Sequence, residues 1–475
     1  MTGTFDTKQA VRDFYDKLAP KRAEYVKRRH AYYDDLDAFL HLALRDDMSV
    51  VEVGCGIGNV VQRLPQVRIT GIDIAPSMIE HATRIDQTGT TYVVDDIEDL
   101  KHSETYDAIL LLDTINSIAD VQTALTNIRQ KLCTDDSQLI ITFHNFLWKP
   151  LLTLAAKAGL KTPAPPQNWL SPGDIASLLL LADFEIVVKG ERFLWPWATP
   201  LLAPLCNRFL VKLPLLRHLA LSQYVIARPL PKRRRDGSVS IVIPARNEAG
   251  NIQRAIESIP PFGTSMEIIF VEGHSKDDTW QKIQEVQQCY KGPYKILVAQ
   301  QKGKGKGDAV RMGFGMATGD LLMILDADLT VDPLDLPKFY EAIASGKGDF
   351  INGSRLVYPM DDKAMRFLNL VANKLFSMMF TWLLGQRTKD TLCGTKVLRR
   401  SDYEHIRKGR AYFGDFDPFG DFDLLFGAAK QNLKILEIPI RYKERTYGET
   451  NIRRFRDGLL LFRMCGVAAV RLKFL

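Results

Sequence analysis

The sequence predicts an α/β protein with two domains, each built on a mostly parallel sheet. Its 475 residues exceed what one ordinary hydrophobic core holds, so two or three domains are expected. Short β-branched runs such as 49–53 and 240–243 lead into Gly-, Asn- or Asp-rich turns and then helical patterns. Since strands that alternate with helices usually pair in parallel, both halves favour parallel sheets. A proline- and arginine-rich stretch at 229–237 predicts a linker between them.

The composition is that of a globular protein with anionic partners. Charged residues make up 25% and hydrophobic residues 46% of the chain, and the net charge is +7 at pH 7. This positive balance favours nucleotide diphosphates, phosphate-bearing lipids or an anionic membrane surface. Because no long Lys/Arg tract with interleaved aromatic residues occurs, nucleic acid is not expected as a partner.

Cysteine usage and hydropathy favour a cytoplasmic protein. None of the six cysteines forms a Cys-x-x-Cys pair, so neither a zinc site nor a disulfide framework is expected. No run of about 18 uninterrupted apolar residues occurs, so no transmembrane helix is expected. The most apolar stretches, 201–221 and 458–475, both contain arginines.

Each half contains a series of short predicted strands. In the first half they are 49–53, 68–73, 91–94, 108–112 and 138–143. In the second half they are 238–243, 267–271, 294–299, 321–325 and 350–352. Continuous apolar runs of this kind are typical of parallel strands that are buried on both faces. Since ligands of open α/β sheets bind outside the carboxyl ends of the strands, functional residues are expected there.

The first strand runs into a glycine-rich turn. Gly54, Gly56 and Gly58 allow the backbone to turn sharply and to approach a ligand closely. Nineteen residues after Gly54, Asp73 ends the second strand, where a carboxylate accepts hydrogen bonds from both hydroxyls of a ribose. Together the turn and the acid predict an adenosine-type ligand. NAD is the competing ligand, but its pattern has a glycine where this chain has Asn59.

This arrangement resembles the class I methyltransferases that use S-adenosylmethionine, over roughly residues 10–228. The resemblance implies a Rossmann-like class I methyltransferase fold, with the glycines at the methionine end of the cofactor, Asp73 at the ribose and Asp96 at the adenine. The full set of implied cofactor-binding residues is Glu52, Gly54, Gly56, Gly58, Asp73, Ile74, Asp96 and Ile97. Residues 112–116 match the segment that closes over the methyl donor. His144 and Asn145 are expected either to contact the methyl acceptor or to be structural.

In the second half, polar motifs again follow the predicted strands. Residues 244–248, 272–278 and 303–311 supply acids, glycines and cations, and each alone is compatible with an ordinary loop. The strongest signal is Asp326-Ala-Asp328, which follows a buried strand directly. A turn at the alanine can bring both carboxylates to one cation, and hard oxygen ligands favour Mg²⁺ or Mn²⁺. Such an ion neutralises charge on a departing nucleoside diphosphate; the alternative is an Asp-rich turn.

The order of these motifs resembles the family 2 glycosyltransferases of the type A fold, and most of all their dolichyl-phosphate mannose synthase-like branch, over nearly all of residues 238–460. The resemblance implies a nucleotide-sugar donor, which is bound by Pro244, Glu248, Glu272, Lys306, Arg311 and Asp326. It implies a metal site at Asp326 and Asp328 and an acceptor site at Arg355, Arg366 and Asp390. Residues 272–273 are Glu-Gly where the family usually has two acids, so the base of the nucleotide stays open.

The same resemblance implies a catalytic set of Asp421, Asp423 and Asp328. Asp421 and Asp423 occupy the position of a general base, and the alternative for Asp421 is helix capping. The implied acceptor is a polyprenyl phosphate, whose oxygen is already an anion and needs no base.

Two apolar-rich helical segments predict peripheral binding at the cytosolic face of a membrane. One spans 364–384, and the other is an amphipathic C-terminal helix over 451–475. The basic side of the second helix carries Arg453, Arg456, Arg463 and Arg471. Arginines on an otherwise apolar helix suit the headgroup layer of a bilayer. The alternative is a helix packed on the core with a solvated basic face.

The sequence therefore predicts a methyltransferase-like domain over 1–228, a linker over 229–237 and a glycosyltransferase domain with an amphipathic helical tail over 238–475. The alternative is sugar transfer to a soluble or saccharide acceptor, beside an N-terminal domain that binds S-adenosylmethionine without catalysing methyl transfer.

Overall fold

The computed structural model describes residues 3–66, 68–157, 165, 167–197, 199–355, 367–391, 393–412, 420–441, 447 and 454–474. The chain divides into two compact units. The first is Met1–Lys232 together with Phe474–Leu475, and the second is Arg233–Lys473.

The N-terminal unit is a seven-stranded sheet with helices. Its strands are β1 Ser49–Val53, β2 Arg68–Asp73, β3 Thr91–Val94, β4 Tyr106–Leu112, β5 Cys133–His144, β6 Phe184–Arg192 and β7 Ser222–Pro229. Its helices are α1 Gly3–Arg28, α2 His30–Ala43, α3 Pro76–Ile85, α4 Val121–Asn127, α5 Lys149–Lys157, α6 Pro172–Leu181 and the single turn α7 Leu202–Pro204.

The strand order of this sheet is β3-β2-β1-β4-β5-β7-β6. The first five strands pair in parallel, and β7 pairs antiparallel with both β5 and β6. The carboxyl ends of β1, β2, β4, β5 and β6 therefore meet at one edge, which we call the carboxyl edge. The central strands β1 and β4 are mostly apolar and buried, as continuous runs predict. The strands β6 and β7 were not predicted. In β6 the apolar run is only three residues long and is followed by charged, partly exposed residues.

The C-terminal unit is a second seven-stranded sheet with helices. Its strands are β8 Val239–Ala245, β9 Met266–Glu272, β10 Lys295–Gln300, β11 Leu321–Ile324, β12 Phe350–Ser354, β13 Lys396–Arg399 and β14 Ile435–Pro439. Its helices are α8 Ile252–Ser258, α9 Thr279–Cys289, α10 Lys306–Met316, α11 Leu336–Ala344, α12 Phe367–Leu384, α13 Arg400–Lys408, α14 Asp421–Lys430 and α15 Arg454–Leu472.

The strand order of the second sheet is β10-β9-β8-β11-β13-β12-β14. The strands β10, β9, β8 and β11 pair in parallel, whereas β13 runs antiparallel to both β11 and β12. Two hydrophobic clusters cover the faces of this sheet, and the helices pack closely on it. For example, a side chain at Gly313 of α10 would meet Val242 of β8 at 2.4 Å. The expected α/β class with two mostly parallel sheets is confirmed.

The C-terminal helix buries Met464, Cys465 and Ala468 and exposes Arg463 and Arg471. Of the other two arginines predicted on its basic side, Arg453 lies outside the described residues, and the side chain of Arg456 is not described. Within the described parts of the chain, no helix combines the length and apolar character needed to cross a membrane.

Candidate cofactor and donor sites

The glycine turn after β1 has a backbone conformation that would be strained for residues with a side chain. Gly54, Gly56 and Gly58 have φ values of +80°, +56° and +74°, in the left-handed region that glycine adopts readily. A side chain at Gly54 would meet Thr114 Oγ1 at 2.3 Å, whereas one at Gly56 would meet nothing within 4 Å. The turn is therefore packed at Gly54 and open at Gly56.

Asp73 ends β2 beside this turn and holds it in place. Its Oδ2 accepts a hydrogen bond from the Gly56 amide at 2.8 Å, and its Oδ1 accepts one from the Ala75 amide at 2.9 Å. Burial raises the pKa of Asp73, and these two hydrogen bonds oppose the rise. Since a carboxylate offers about four acceptor positions, two remain for the hydroxyls of a ribose.

Glu52 lies on β1, next to the turn, and is almost completely buried. Burial and the nearby charge of Asp73 raise its pKa to about 8. Its Oε2 is buried without a hydrogen-bond partner among the described residues. The raised pKa favours the protonated form of Glu52, which can donate a hydrogen bond as well as accept one. A bound cofactor would give this unpaired oxygen a partner.

The helix α1 covers the carboxyl edge near the turn. Its Leu18 and Ala19 pack with Ile57, Ala75 and Met78. Near the start of the helix, the ammonium of Lys8 lies 2.7 Å from Asp96 Oδ2 and 3.4 Å from Glu98 Oε2.

Lys8 therefore already contacts Asp96, the residue that was predicted to bind an adenine. The neighbouring Ile97 is buried, and Ile74 lies between Asp73 and the start of α3.

A polar cluster follows β4 and β5 at the same edge. Asp113 has a φ of +54° and accepts hydrogen bonds from the hydroxyls of Tyr32 and Thr142. His144 Nδ1 lies 3.9 Å from Asp113 Oδ1. The amide of Asn145 donates instead to the backbone carbonyls of His218 and Ala220. Of the two candidates for contacting an acceptor, the structure brings His144 into this cluster and gives Asn145 a structural role.

In the C-terminal unit, the predicted donor residues of the first two strands are held by hydrogen bonds. Pro244 lies near the end of β8. Glu248 Oε2 accepts from the Asn251 amide at 2.7 Å. Glu272 ends β9 and accepts from Ser275 and Gln300. Burial opposes the charge of Glu272, but these hydrogen bonds lower its pKa.

Lys306 and Asp326 form the centre of the candidate donor site. Lys306 begins α10, and its ammonium lies 2.6 Å from Asp326 Oδ1, just beyond β11. Burial opposes the charge of Lys306, but Asp326, Asp421 and Asp328 raise its pKa. A side chain at Gly394 would lie 1.9 Å from Asp326 Oδ2 and 2.4 Å from the Lys306 nitrogen. The loop before β13 therefore closes directly on this pair.

Asp328 faces the same region but is held differently. Its Oδ1 accepts hydrogen bonds from the amide and the hydroxyl of Thr330, at 3.1 and 2.8 Å. In the described chain, no group of three or more His, Cys, Asp or Glu side chains could hold a metal ion. Two carboxylates are too few to fill the coordination shell of a hard divalent ion, so waters or the phosphate oxygens of a donor would supply its other ligands.

The two predicted catalytic acids of α14 are both ion-paired. Asp421 Oδ1 lies 2.9 Å from the fully buried ammonium of Lys396. Asp423 Oδ2 accepts from Arg410 Nε at 3.0 Å and lies 3.9 Å from Arg311 Nη1. Asp421 does not cap α14. The N-cap residue is Gly420, and no side-chain hydrogen bond caps this end of the helix.

The predicted acceptor residues Arg355 and Asp390 bind each other. The guanidinium of Arg355 donates to both oxygens of Asp390, at 2.7 and 2.8 Å. Asp390 is completely buried at its side chain. Arg366, the third predicted acceptor residue, lies outside the described residues.

Comparison with known families agrees with this division of the chain. The family described as "Methyltransferase domain" matches residues 25–189, and the family described as "Glycosyl transferase family 2" matches residues 240–407. The chain joins a methyltransferase domain to a family 2 glycosyltransferase domain.

Two curated relatives match the glycosyltransferase domain. The dolichol-phosphate mannosyltransferase of Pyrococcus furiosus is 31% identical over 220 residues, which is 45% of this chain and 59% of that protein. A low-salt glycan biosynthesis hexosyltransferase of Haloferax volcanii is 30% identical over 228 residues, 46% of this chain and 51% of that protein. The chain thus spans little more than half the length of these relatives.

Solved structures also align with each domain. The magnesium protoporphyrin IX methyltransferase of Synechocystis has 18% identity and a TM-score of 0.35, covering 47% of this chain and all of that one (100%). The glucosyl-3-phosphoglycerate synthase of Mycobacterium tuberculosis has 19% identity and a TM-score of 0.37, covering 50% of this chain and 80% of that one.

Sequence reasoning missed several residues of these sites. Lys8 and Tyr32 of the methyltransferase domain lie far from the motifs in sequence, and nothing in the sequence around them signals a role. In the glycosyltransferase domain, Gly394 and Lys396 follow Asp390 closely in sequence, but of the three only Asp390 was predicted as a site residue. Gly394 lies against Asp326, and Lys396 pairs with Asp421. Since these acids belong to other elements, no local sequence pattern could reveal the two contacts.

Proposed function

We propose that the glycosyltransferase domain transfers a sugar from a nucleoside diphosphate sugar to a polyprenyl phosphate, with assistance from Mg²⁺ or Mn²⁺. The observation that carries this proposal is the group at the end of β11. Asp326 and Asp328 follow a buried strand, Lys306 contacts Asp326, and the loop at Gly394 closes on the pair. Two acids beside a lysine suit a donor diphosphate bound together with a divalent ion.

In this proposal, an oxygen of the acceptor phosphate forms a bond to the anomeric carbon of the sugar. The bond from that carbon to the nucleoside diphosphate breaks, and its electron pair leaves with the diphosphate. Lys306 and Arg311 are proposed to bind the donor phosphates, with Pro244, Glu248 and Glu272 nearer the base. An ion at Asp326 and Asp328 would neutralise the leaving diphosphate.

The ion pairs made by the two acids on α14 are compatible with an anionic acceptor. Asp421 and Asp423 each contact a cation, Lys396 and Arg410 respectively. A phosphate acceptor carries no proton to remove, so it needs no base. We propose that these two acids position their cationic partners around the site, and that removal of a proton falls to them only for a hydroxyl acceptor.

The proposed lipid acceptor rests on the similarity to a dolichol-phosphate mannosyltransferase. Arg355 and Asp390 are proposed to shape the acceptor end of the site as a bidentate pair. The exposed Arg463 and Arg471 of α15 support a peripheral position at the cytosolic face of a membrane, because guanidinium groups bind lipid phosphates.

The proposal is tested by a transfer assay on the full chain. Nucleotide sugars are offered with polyprenyl phosphate or with a soluble sugar, in Mn²⁺ or in excess chelator. We expect metal-dependent transfer to the lipid phosphate. Transfer only to the soluble sugar would identify a saccharide-acceptor enzyme, and full activity in chelator would exclude the metal.

A second proposed function is methyl transfer from S-adenosylmethionine by the N-terminal domain. The open turn at Gly56, the Asp73 clamp beside it and the unpaired oxygen of Glu52 favour a bound adenosine-type cofactor. His144 and Asp113 are proposed to face the acceptor. Thermal unfolding with and without S-adenosylmethionine tests binding, since a ligand of the native state raises the melting temperature. Binding without methylation of any offered acceptor would favour the non-catalytic alternative.

A further inference from the structure

We propose that the N-terminal unit carries a surface that docks onto an anionic lipid bilayer. The surface consists of residues 146–154, after β5, and residues 199–219, between β6 and β7. We call these two segments the apolar edge. The inference deepens the proposed membrane location, on which it rests, by naming a contact surface other than α15.

The apolar edge exposes large hydrophobic side chains in unusual number. Of the 22 such side chains exposed in the described parts of the chain, four lie in 146–154 and seven in 199–219. Leu201 and Leu215 are 88% and 86% exposed. Soluble proteins rarely collect exposed apolar residues into one patch unless it meets a membrane or another partner.

These side chains point outward from a segment that is firmly held. Between β6 and β7 the chain forms short helical turns that bury Cys206 and Val211. Asn207 exchanges two hydrogen bonds with the backbone of Trp195, at 2.7 and 2.9 Å. Trp148 Nε1 donates to the Leu219 carbonyl at 2.8 Å, which joins the two segments. The exposed leucines are therefore presented by an ordered scaffold.

The charge of the apolar edge identifies the kind of partner. It contains Lys149, Arg208, Lys212 and Arg217, and no aspartate or glutamate. The absence of acids extends well beyond it, through residues 137–173 and 193–235. Next to the apolar edge, Glu191 of β6 lies 3.9 Å from Arg217 and 3.6 Å from His218.

Leucines and aromatic rings interspersed with cations suit the boundary between headgroups and acyl chains, where the stems are buried and the cations meet phosphates. A second copy of the chain would offer the same cations and no acid from within the apolar edge. The surface therefore fits an anionic bilayer better than it fits itself.

The segments of the apolar edge follow strands that end on the same side of the sheet as the proposed cofactor site. These segments follow His144 of β5 and Arg192 of β6, which both lie at the carboxyl edge with the glycine turn. A membrane bound here would lie on the side of the sheet that carries the proposed cofactor site.

The test is co-sedimentation of the full chain with phosphatidylcholine vesicles, with and without phosphatidylglycerol. We expect binding to the anionic vesicles that weakens with salt. The double substitution Leu201→Glu and Leu215→Glu should reduce binding roughly tenfold or more, because it removes two inserted leucines and adds two negative charges.

The matched control is Leu180→Glu with Leu181→Glu. These leucines of α6 are 66% and 62% exposed but lie outside the apolar edge, so binding should change less than about twofold. Melting temperatures of both double variants verify that each is folded. A third variant, Arg463→Ala with Arg471→Ala, tests α15.

The results of these variants distinguish the apolar edge from α15 and from a dimer interface. Loss of binding only in the Leu201/Leu215 variant supports the apolar edge. Loss only in the Arg463/Arg471 variant overturns it and leaves the proposed membrane location intact. No vesicle binding by the unmodified chain overturns both membrane proposals, while sugar transfer is judged separately by its own assay. A dimer that the Leu201/Leu215 variant abolishes, without vesicle binding, would show that the occupant is a second copy.

Discussion

Paired charges organise both candidate sites at the scale of single residues. Lys306 contacts Asp326, Lys396 contacts Asp421, and Lys8 contacts Asp96. Of these three pairs, Lys396 and Asp421 are buried, and a buried charge that loses its partner is strongly unfavourable. Substitutions that preserve volume and remove only charge therefore give the clearest tests.

We expect Asp328→Asn to lower sugar transfer by orders of magnitude, because it removes a ligand charge while it preserves volume. Initial rates with Mn²⁺ measure the effect. The control is Asp332→Asn, since Asp332 caps a short turn through Leu334 and asparagine caps equally well. Equal loss in both variants would show a general structural effect and contradict the assignment.

Asp73→Ala should weaken S-adenosylmethionine binding by roughly 2–4 kcal/mol, since it removes a charge-assisted pair of hydrogen bonds. The structure adds a second reason, because Asp73 also holds the amide of Gly56. Titration calorimetry measures the affinity. Glu80→Ala, an exposed acid on α3, is the control. Wild-type affinity in the Asp73 variant would show that the cofactor binds elsewhere.

Glu52 should make the stability of the methyltransferase domain depend on pH. Its pKa is about 8 in the folded chain and 4.5 ordinarily, so the folded state favours the protonated acid. The contribution of Glu52 to the free energy of unfolding is therefore fully present below about pH 4.5. It is lost as pH rises from about 4.5 to about 8, by up to about 1.4 kcal/mol per pH unit.

Calorimetric melting at several pH values measures this effect, in the transition that S-adenosylmethionine raises. Glu52→Gln should flatten the decline between about pH 5 and pH 8. The exposed-site variant Glu80→Gln should retain the full decline. An unchanged slope in the Glu52 variant would mean that another group is responsible.

At the scale of elements, each site is closed by a segment remote in sequence. The helix α1 lies over the turn that follows β1, and the loop before β13 lies against the acids that follow β11. The parallel strands and their terminal motifs were predictable, because apolar runs and turn residues are local signals. The covering segments and the strands β6, β7, β13 and β14 were not predicted, since pairing with partner strands defines them more than local sequence does.

Gly394→Ala tests the closure of the loop before β13. A methyl group there would lie 1.9 Å from Asp326 Oδ2, so either the loop or the Lys306–Asp326 pair must move. We expect weaker donor binding, measured by calorimetry with a nucleotide sugar, and a lower melting temperature. Gly315→Ala is the control, because Gly315 lies on α10 with nothing within 4 Å.

Alanine in place of a helical glycine should be neutral or stabilising by up to about 1 kcal/mol. If Gly394→Ala binds the donor as well as Gly315→Ala does, the close approach seen at Asp326 is unimportant for the site.

At the scale of the whole molecule, two α/β units with separate cores share one chain. Each sheet brings its candidate residues to the carboxyl ends of its strands, where open α/β sheets bind their ligands. Exposed leucines among cations distinguish the N-terminal unit, and the inferred membrane contact follows from this combination.

The sequence by itself determined the two families, the α/β class, and the positions of the glycine turn, Asp73, Asp326 and Asp328. These features depend on neighbours along the chain, so local patterns carry them. Only the tertiary structure decided which charges meet: Lys8 with Asp96, Lys306 with Asp326, Lys396 with Asp421 and Arg355 with Asp390. It also decided which leucines stay exposed. Pairing and burial depend on contacts between segments far apart in sequence, which no local pattern contains.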